Sequence, residues 1–120
     1  MEEEKSVMKV SDRDGTKVAV LESSKMLDEL DISEIGAKLT EVIQGGGDKG
    51  LVIDFRNVSN MSSSALGMLI TIHKRMREIS GELRLCNIND NIKEVFDITR
   101  LNEILIIDES VEDSLANIKK

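Results

Sequence analysis

Proline, tryptophan and tyrosine are absent from these 120 residues, and phenylalanine occurs only as Phe55 and Phe96. With so few aromatic rings, no platform for stacking single-stranded bases can be assembled. Cysteine is reduced to Cys86, which rules out a disulfide framework or a multi-cysteine metal site within one chain. The lone histidine, His73, leaves a Ser-His-Asp triad without support, and no catalytic residue, metal site or cofactor is expected. Basic residues number 16 against 23 acidic ones, giving a net charge of -7 and a pI near 4.8. Direct nucleic-acid binding needs clustered Lys and Arg and is not expected from that balance. No apolar run approaches the roughly 18 residues that a membrane span requires. The opening Met1-Glu2-Glu3-Glu4-Lys5 is acidic where a signal peptide is basic and then apolar. A cytoplasmic protein without a membrane segment is the expectation.

What remains is ordinary globular material. Hydrophobic residues make up 40% of the chain and charged residues 32%, enough apolar character to bury a core in one domain spanning residues 1–120. Val7 to Val10 and Lys17 to Leu21 read as two strands, joined by an Asp12-Arg13-Asp14-Gly15 turn. A helix follows, with Ile32, Ile35, Leu39, Val42 and Ile43 on one face and Glu34 and Lys38 as an i,i+4 pair. Asp28, Glu29 and Asp31 ahead of it complement the helix dipole. Gly45-Gly46-Gly47 reads as its stop, because no Gly-Lys-Ser follows to make a phosphate cradle.

Leu51 to Phe55 is short and almost wholly apolar, as suits a central strand covered on both faces. A helix over Ser62–Ile79 stops at Ser80-Gly81. Leu83, Leu85 and Ile88 mark a fourth strand, and Cys86 within it reads as a small core residue. Ile92, Val95 and Phe96 share a face of a short helix, Ile104 to Ile107 form a fifth strand, and Val111, Leu115 and Ile118 a closing helix. The order is β-β-α-β-α-β-α-β-α, with no repeat and no linker. It predicts an α/β fold: a mixed, mostly parallel sheet of about five strands with about four helices.

The informative stretch runs from Val58 to Ile70, where a polar turn leads through Ser62-Ser63-Ser64 into an apolar helix. Hydroxyls at such a junction cap free backbone N–H groups, and they stand where the helix dipole stabilises an added negative charge. At about 100° per residue, Ala65, Met68, Leu69, Ile72, Met76 and Ile79 form the core stripe. Ser63 projects to the opposite flank, beside Leu66, Ile70, Lys74 and Arg77, whereas Ser64 lies nearer the core. An exposed hydroxyl bordered by apolar residues suits a protein contact that a phosphate abolishes. Plain cap and phosphorylation switch are both compatible with these residues. Asp54, just upstream, lacks the acidic partners and lysine of a receiver-type phosphoaspartate site.

The segment Asn60-Met61-Ser62-Ser63-Ser64-Ala65-Leu66-Gly67, with aliphatics after it, resembles the signature of STAS domains, and in particular of bacterial anti-sigma-factor antagonists. The resemblance extends over nearly the whole chain, through the strand Leu51–Phe55, the strand stretch Gly81–Ile88 and the Val95–Leu101 helix and loop. Two positions depart from the family's usual pattern: Ser62 stands for Asp and Ala65 for Gly. The resemblance implies a STAS fold and a non-enzymatic binding protein. Its implied partner is an anti-sigma factor that is also a serine-protein kinase, in a partner-switching pathway. It implies Ser63 as the phosphorylated residue, and Asn60, Met61, Ser62, Ser64, Leu66, Gly67 and Ile70 as the partner-binding set. The alternatives are an unphosphorylated STAS scaffold and a small nucleotide-binding or phosphotransfer enzyme using the serine loop as an anion site. Against the enzyme stand the missing Gly-Lys pair and the lack of a catalytic histidine.

Overall fold

The computed structural model of the chain describes residues 8–13, 15–22, 25–26, 29–45 and 50–118. Strands β1 (Met8–Arg13) and β2 (Thr16–Leu21) form the expected hairpin, antiparallel with Arg13 opposite Thr16. Gly15 sits at φ +86°, in the left-handed region that glycine enters without penalty. The Asp12 carboxylate accepts a bond from the Gly15 N–H at 3.1 Å and pairs with Lys17 at 3.1 Å. Asp12 and Arg13 thus belong to the strand rather than to the turn. Val7, Asp14, Asp28, Gly46 and Gly47 lie outside the described residues.

Helix α1 (Glu29–Gln44) buries Ile32, Ile35, Leu39 and Ile43, spaced at the helical period. It leads to β4 (Gly50–Asp54), in which every residue is buried. A short strand β5 (Asn60–Met61) pairs in parallel with β3 (Lys25–Met26), a small second sheet that the sequence pattern did not indicate. Helix α2 (Ser63–Glu78), strand β6 (Glu82–Cys86) and helix α3 (Asp90–Ile98) complete the middle of the chain. Strand β7 (Ile106–Asp108) and helix α4 (Val111–Asn117) close it.

The main sheet has the order β1-β2-β4-β6-β7, antiparallel at the hairpin and parallel elsewhere. This is the predicted mixed, mostly parallel sheet of five strands with four helices. Alternating residues of β4 feed two cores. Leu51 and Ile53 join the apolar stripes of α1, α2 and α3 on one face, and Val52 joins Val18, Cys86, Val111 and Ile118 on the other. Cys86 is the buried core residue expected, its thiol pushed up to about 12 chiefly by burial.

Several boundaries differ from the periodicity reading. The fifth strand begins at Ile106, not Ile104, because Leu101–Glu103 form a 3₁₀ turn entered through Arg100 at φ +64°. That turn aims Leu101 and Leu105 into the core and leaves Ile104 and Ile106 exposed. Ile79 is exposed rather than in the core stripe, since α2 ends one residue earlier. Ser80 takes a left-handed conformation there, and the Gly81 N–H bonds back to Met76 O at 2.7 Å. Met68 is half-buried: its Cγ lies 3.2 Å from the place a Cβ at Gly36 would occupy, where α1 and α2 cross closely.

Candidate functional site

At the carboxyl end of β4, Asp54 is fully buried and charged. Burial alone would raise its carboxyl, but hydrogen bonds from Arg56 and Asn87 outweigh burial and hold it below the usual carboxylate range. The Arg56 N–H donates to Oδ1 at 2.9 Å, Arg56 Nε to Oδ2 at 2.8 Å, and Asn87 Nδ2 to Oδ1 at 3.0 Å. Asp54 is thereby a clamp on the start of the loop.

The loop itself turns tightly. Val58 N–H bonds to Phe55 O at 2.9 Å, and the Phe55 and Val58 side chains are buried as its apolar floor. Asparagines fasten the outside. Asn89 caps α3, its Oδ1 accepting from Ile92 N–H at 2.9 Å, while its Nδ2 donates to Val58 O at 3.2 Å and Ser59 O at 3.3 Å. Asn57 Nδ2 reaches Leu21 O at 3.4 Å, at the end of β2. An open depression of about 460 Å³ lies between this loop and the Asn87–Asn89 turn. From the sequence, Asn89 is legible as a helix start signal; its second role depends on the fold bringing two loops together.

From this anchored loop, β5 delivers the chain to α2. Ser62 is the N-cap: its backbone is extended (φ -94°, ψ 170°) and its Oγ accepts from Ala65 N–H at 3.3 Å. Standing where the STAS signature that this segment resembles has Asp, it keeps a side-chain oxygen at the capping position. Ser63 is then the first helical residue, exposed, and its hydroxyl has no hydrogen-bond partner among the described residues. Ser64 is exposed as well, not turned toward the core as helical geometry alone suggested. Asn60 is exposed beside Ser59, with Nδ2 at 3.5 Å from the Ser59 Oγ. Gly67, one turn beyond Ser63, is exposed, and a Cβ there would meet nothing within 4 Å.

Of the apolar residues expected on this face, Met61, Leu66 and Ile70 are half-buried and pack against the main core. The core claims one side of each and leaves the other open. No acidic residue occupies the first turn of α2, in contrast to α3 with Asp90 and α4 with Glu112 and Asp113. The N-terminus of α2 is therefore a neutral, hydroxyl-bearing surface with the positive end of a helix dipole behind it.

Other candidates separate from this site. His73 is half-buried on α2, its pKa lowered by burial and by Arg77. Among the described residues, no group of His, Cys, Asp or Glu is arranged to hold a metal, and no helix is long and apolar enough to cross a membrane.

Known proteins share this architecture. Residues 7–114 match the STAS domain family. The anti-sigma-B factor antagonist of Staphylococcus aureus is 29% identical over 86 residues, covering 72% of this chain and 79% of that protein. An anti-sigma factor antagonist from Mycobacterium paratuberculosis superposes with a TM-score of 0.82 at 18% identity, over 94% of this chain and 93% of that one. The Bacillus cell fate determinant SpoIIAA in its phosphorylated form gives 0.71 at 19% identity, over 93% and 99%. With a family match across most of its length and the fold to accompany it, this chain belongs to the STAS domain family.

Proposed function

We propose that this protein is an anti-sigma factor antagonist. In this reading it binds, in the cytoplasm, an anti-sigma factor that is also a serine-protein kinase, and phosphorylation of Ser63 releases that partner. The observation that carries the reading is the division of labour at the start of α2. Ser62 supplies the cap, and the adjacent Ser63 hydroxyl is exposed with no hydrogen-bond partner among the described residues. Membership of the STAS family and the name of the Staphylococcus aureus relative supply the partner class.

The contact surface would comprise Asn60, Met61, Ser62, Ser64, Leu66, Gly67 and Ile70 around the acceptor. Gly67 supports this: the fold leaves open space above it, so a close-lying partner is a better reason for glycine than internal packing. A phosphate on Ser63 adds about -1.5 to -2 charges at this neutral face. Facing an apolar or acidic partner surface, that charge disfavours the complex. The helix itself tolerates it, because the dipole stabilises an N-terminal anion by about 0.3–1 kcal/mol.

Native protein recovered from its cells, with whatever is bound to it, tests this. Mass spectrometry is expected to place phosphate on Ser63 rather than on Ser59, Ser62, Ser64 or Ser80, in the fraction lacking the partner. Phosphate on another serine, or the same phosphate content in bound and unbound fractions, would contradict the assignment. Complete absence of phosphate under all growth conditions would leave a constitutive scaffold.

A further inference from the structure

Helices α1 and α2 carry opposite charge on their outward faces. The α1 sequence contains four acidic residues and one lysine, whereas α2 contains Lys74, Arg75 and Arg77 against Glu78. Glu34, Ala37 and Glu41 are exposed along α1, and Ser63, Gly67, Lys74 and Arg77 along α2. None of Lys74, Arg75 and Arg77 forms an ion pair with a described residue. Arg75 and Arg77 complement the helix dipole in the last turn, but Lys74 lies before it.

The relative placement of the two helices is fixed by the sheet. β2, β4 and β6 are parallel, so α1 and α2 both return against the strands and run alongside each other in the same direction. A shallow groove of about 230 Å³ runs along their contact, lined by Gly36 and Thr40 of α1 and by Met68, Thr71 and Arg75 of α2. These facing residues set Glu41 level with the stretch from His73 to Arg77, to within about one helical turn.

We infer that this two-helix face is a self-association surface and that its occupant is a second copy of this chain. A two-fold axis parallel to the helices lays α1 of each copy on α2 of the other, in the same direction and at the same level. Glu41 of one copy then meets Lys74 and Arg77 of the other, twice per dimer. The middle of the face is uncharged, with Ala37 on α1 and Gly67 and half-buried Ile70 on α2. The other two-fold arrangement, with its axis across the helices, stacks α1 on α1 and places acid against acid; charge selects the first. Ser63 shares the α2 stripe, so the dimer covers it and competes with the partner for the same face. That last consequence alone rests on the proposed function; the dimer does not.

Sedimentation velocity across about 5 µM to 1 mM tests the inference on the purified chain. The wild type is expected to pass from monomer to dimer within this range. Glu41→Lys alone, and Lys74→Glu with Arg77→Glu, are each expected to move the midpoint roughly tenfold or more to higher concentration, with unchanged circular dichroism. An equimolar mixture of the two variants restores every opposite-charge contact and is expected to dimerise at least as well as the wild type. A wild type that stays monomeric up to about 1 mM would overturn the proposal. So would midpoints unmoved by the reversals, or a mixture that fails to recover.

Discussion

Helices α2 and α4 begin alike and then diverge. Each is capped by a serine, Ser62 in one and Ser110 in the other, whose hydroxyl accepts from a backbone N–H three residues on. In α4 the first turn is acidic, and the next serine, Ser114, is fully buried, its hydroxyl donating to Asp108 Oδ2 at 2.7 Å. Arg84 bonds the same carboxylate at 3.2 Å and Asn117 reaches it at 3.3 Å, so α4 is fastened to the sheet through Asp108. In α2 the first turn has no acid, and the next serine, Ser63, is exposed and its hydroxyl makes no bond among the described residues. Equivalent side-chain chemistry is spent on stability at one helix and kept accessible at the other. Burial and partners, rather than residue type, decide which serine is structural.

Substitutions that should break this contrast can be ranked. Ser114→Ala has the largest expected effect, because it removes a short buried bond to a charged group; chemical denaturation should show a loss of about 1.5–3 kcal/mol. Ser62→Ala removes the α2 cap and should cost about 1 kcal/mol in the same measurement. Gly67→Ala should go the other way, stabilising the fold by about 0.5–1 kcal/mol, since helix propensity improves and the added methyl meets open space. Partner binding is expected to weaken in that variant even as stability rises. Ser63→Ala should be nearly silent, within about 0.5 kcal/mol. A Ser63→Ala cost as large as that of Ser114→Ala would erase the distinction.

How much of this was legible in the sequence follows from which interactions are local. The order of main-sheet strands and helices, the all-buried β4, the α1 face and the serine cap are set by short-range periodicity and by a capping rule, and the structure has them where those rules put them. The β3–β5 ladder escaped because each strand is two residues long, too short to show a period of two. The late start of β7 escaped because Arg100 enters the left-handed region without being glycine. The helical stripe would include Ile79, but α2 ends before it, where Ser80 turns left-handed. Helical geometry alone turns Leu66 and Ile70 outward; three-dimensional packing gives half of each to the core. The Asn57 and Asn89 tethers join segments more than 30 positions apart, and no local pattern encodes that meeting.

In the function proposed above, Ser62 holds the helix while Ser63 governs binding. Calorimetric titration of the partner recovered with the native protein into Ser62→Ala and Ser63→Asp, alongside thermal unfolding of both, tests it most directly. The proposed function predicts that Ser63→Asp melts at or a little above the wild-type temperature, because the α2 dipole favours an N-terminal anion, and loses at least roughly tenfold in affinity, while Ser62→Ala melts earlier and still binds. A Ser63→Asp protein that binds as tightly as the wild type would contradict it.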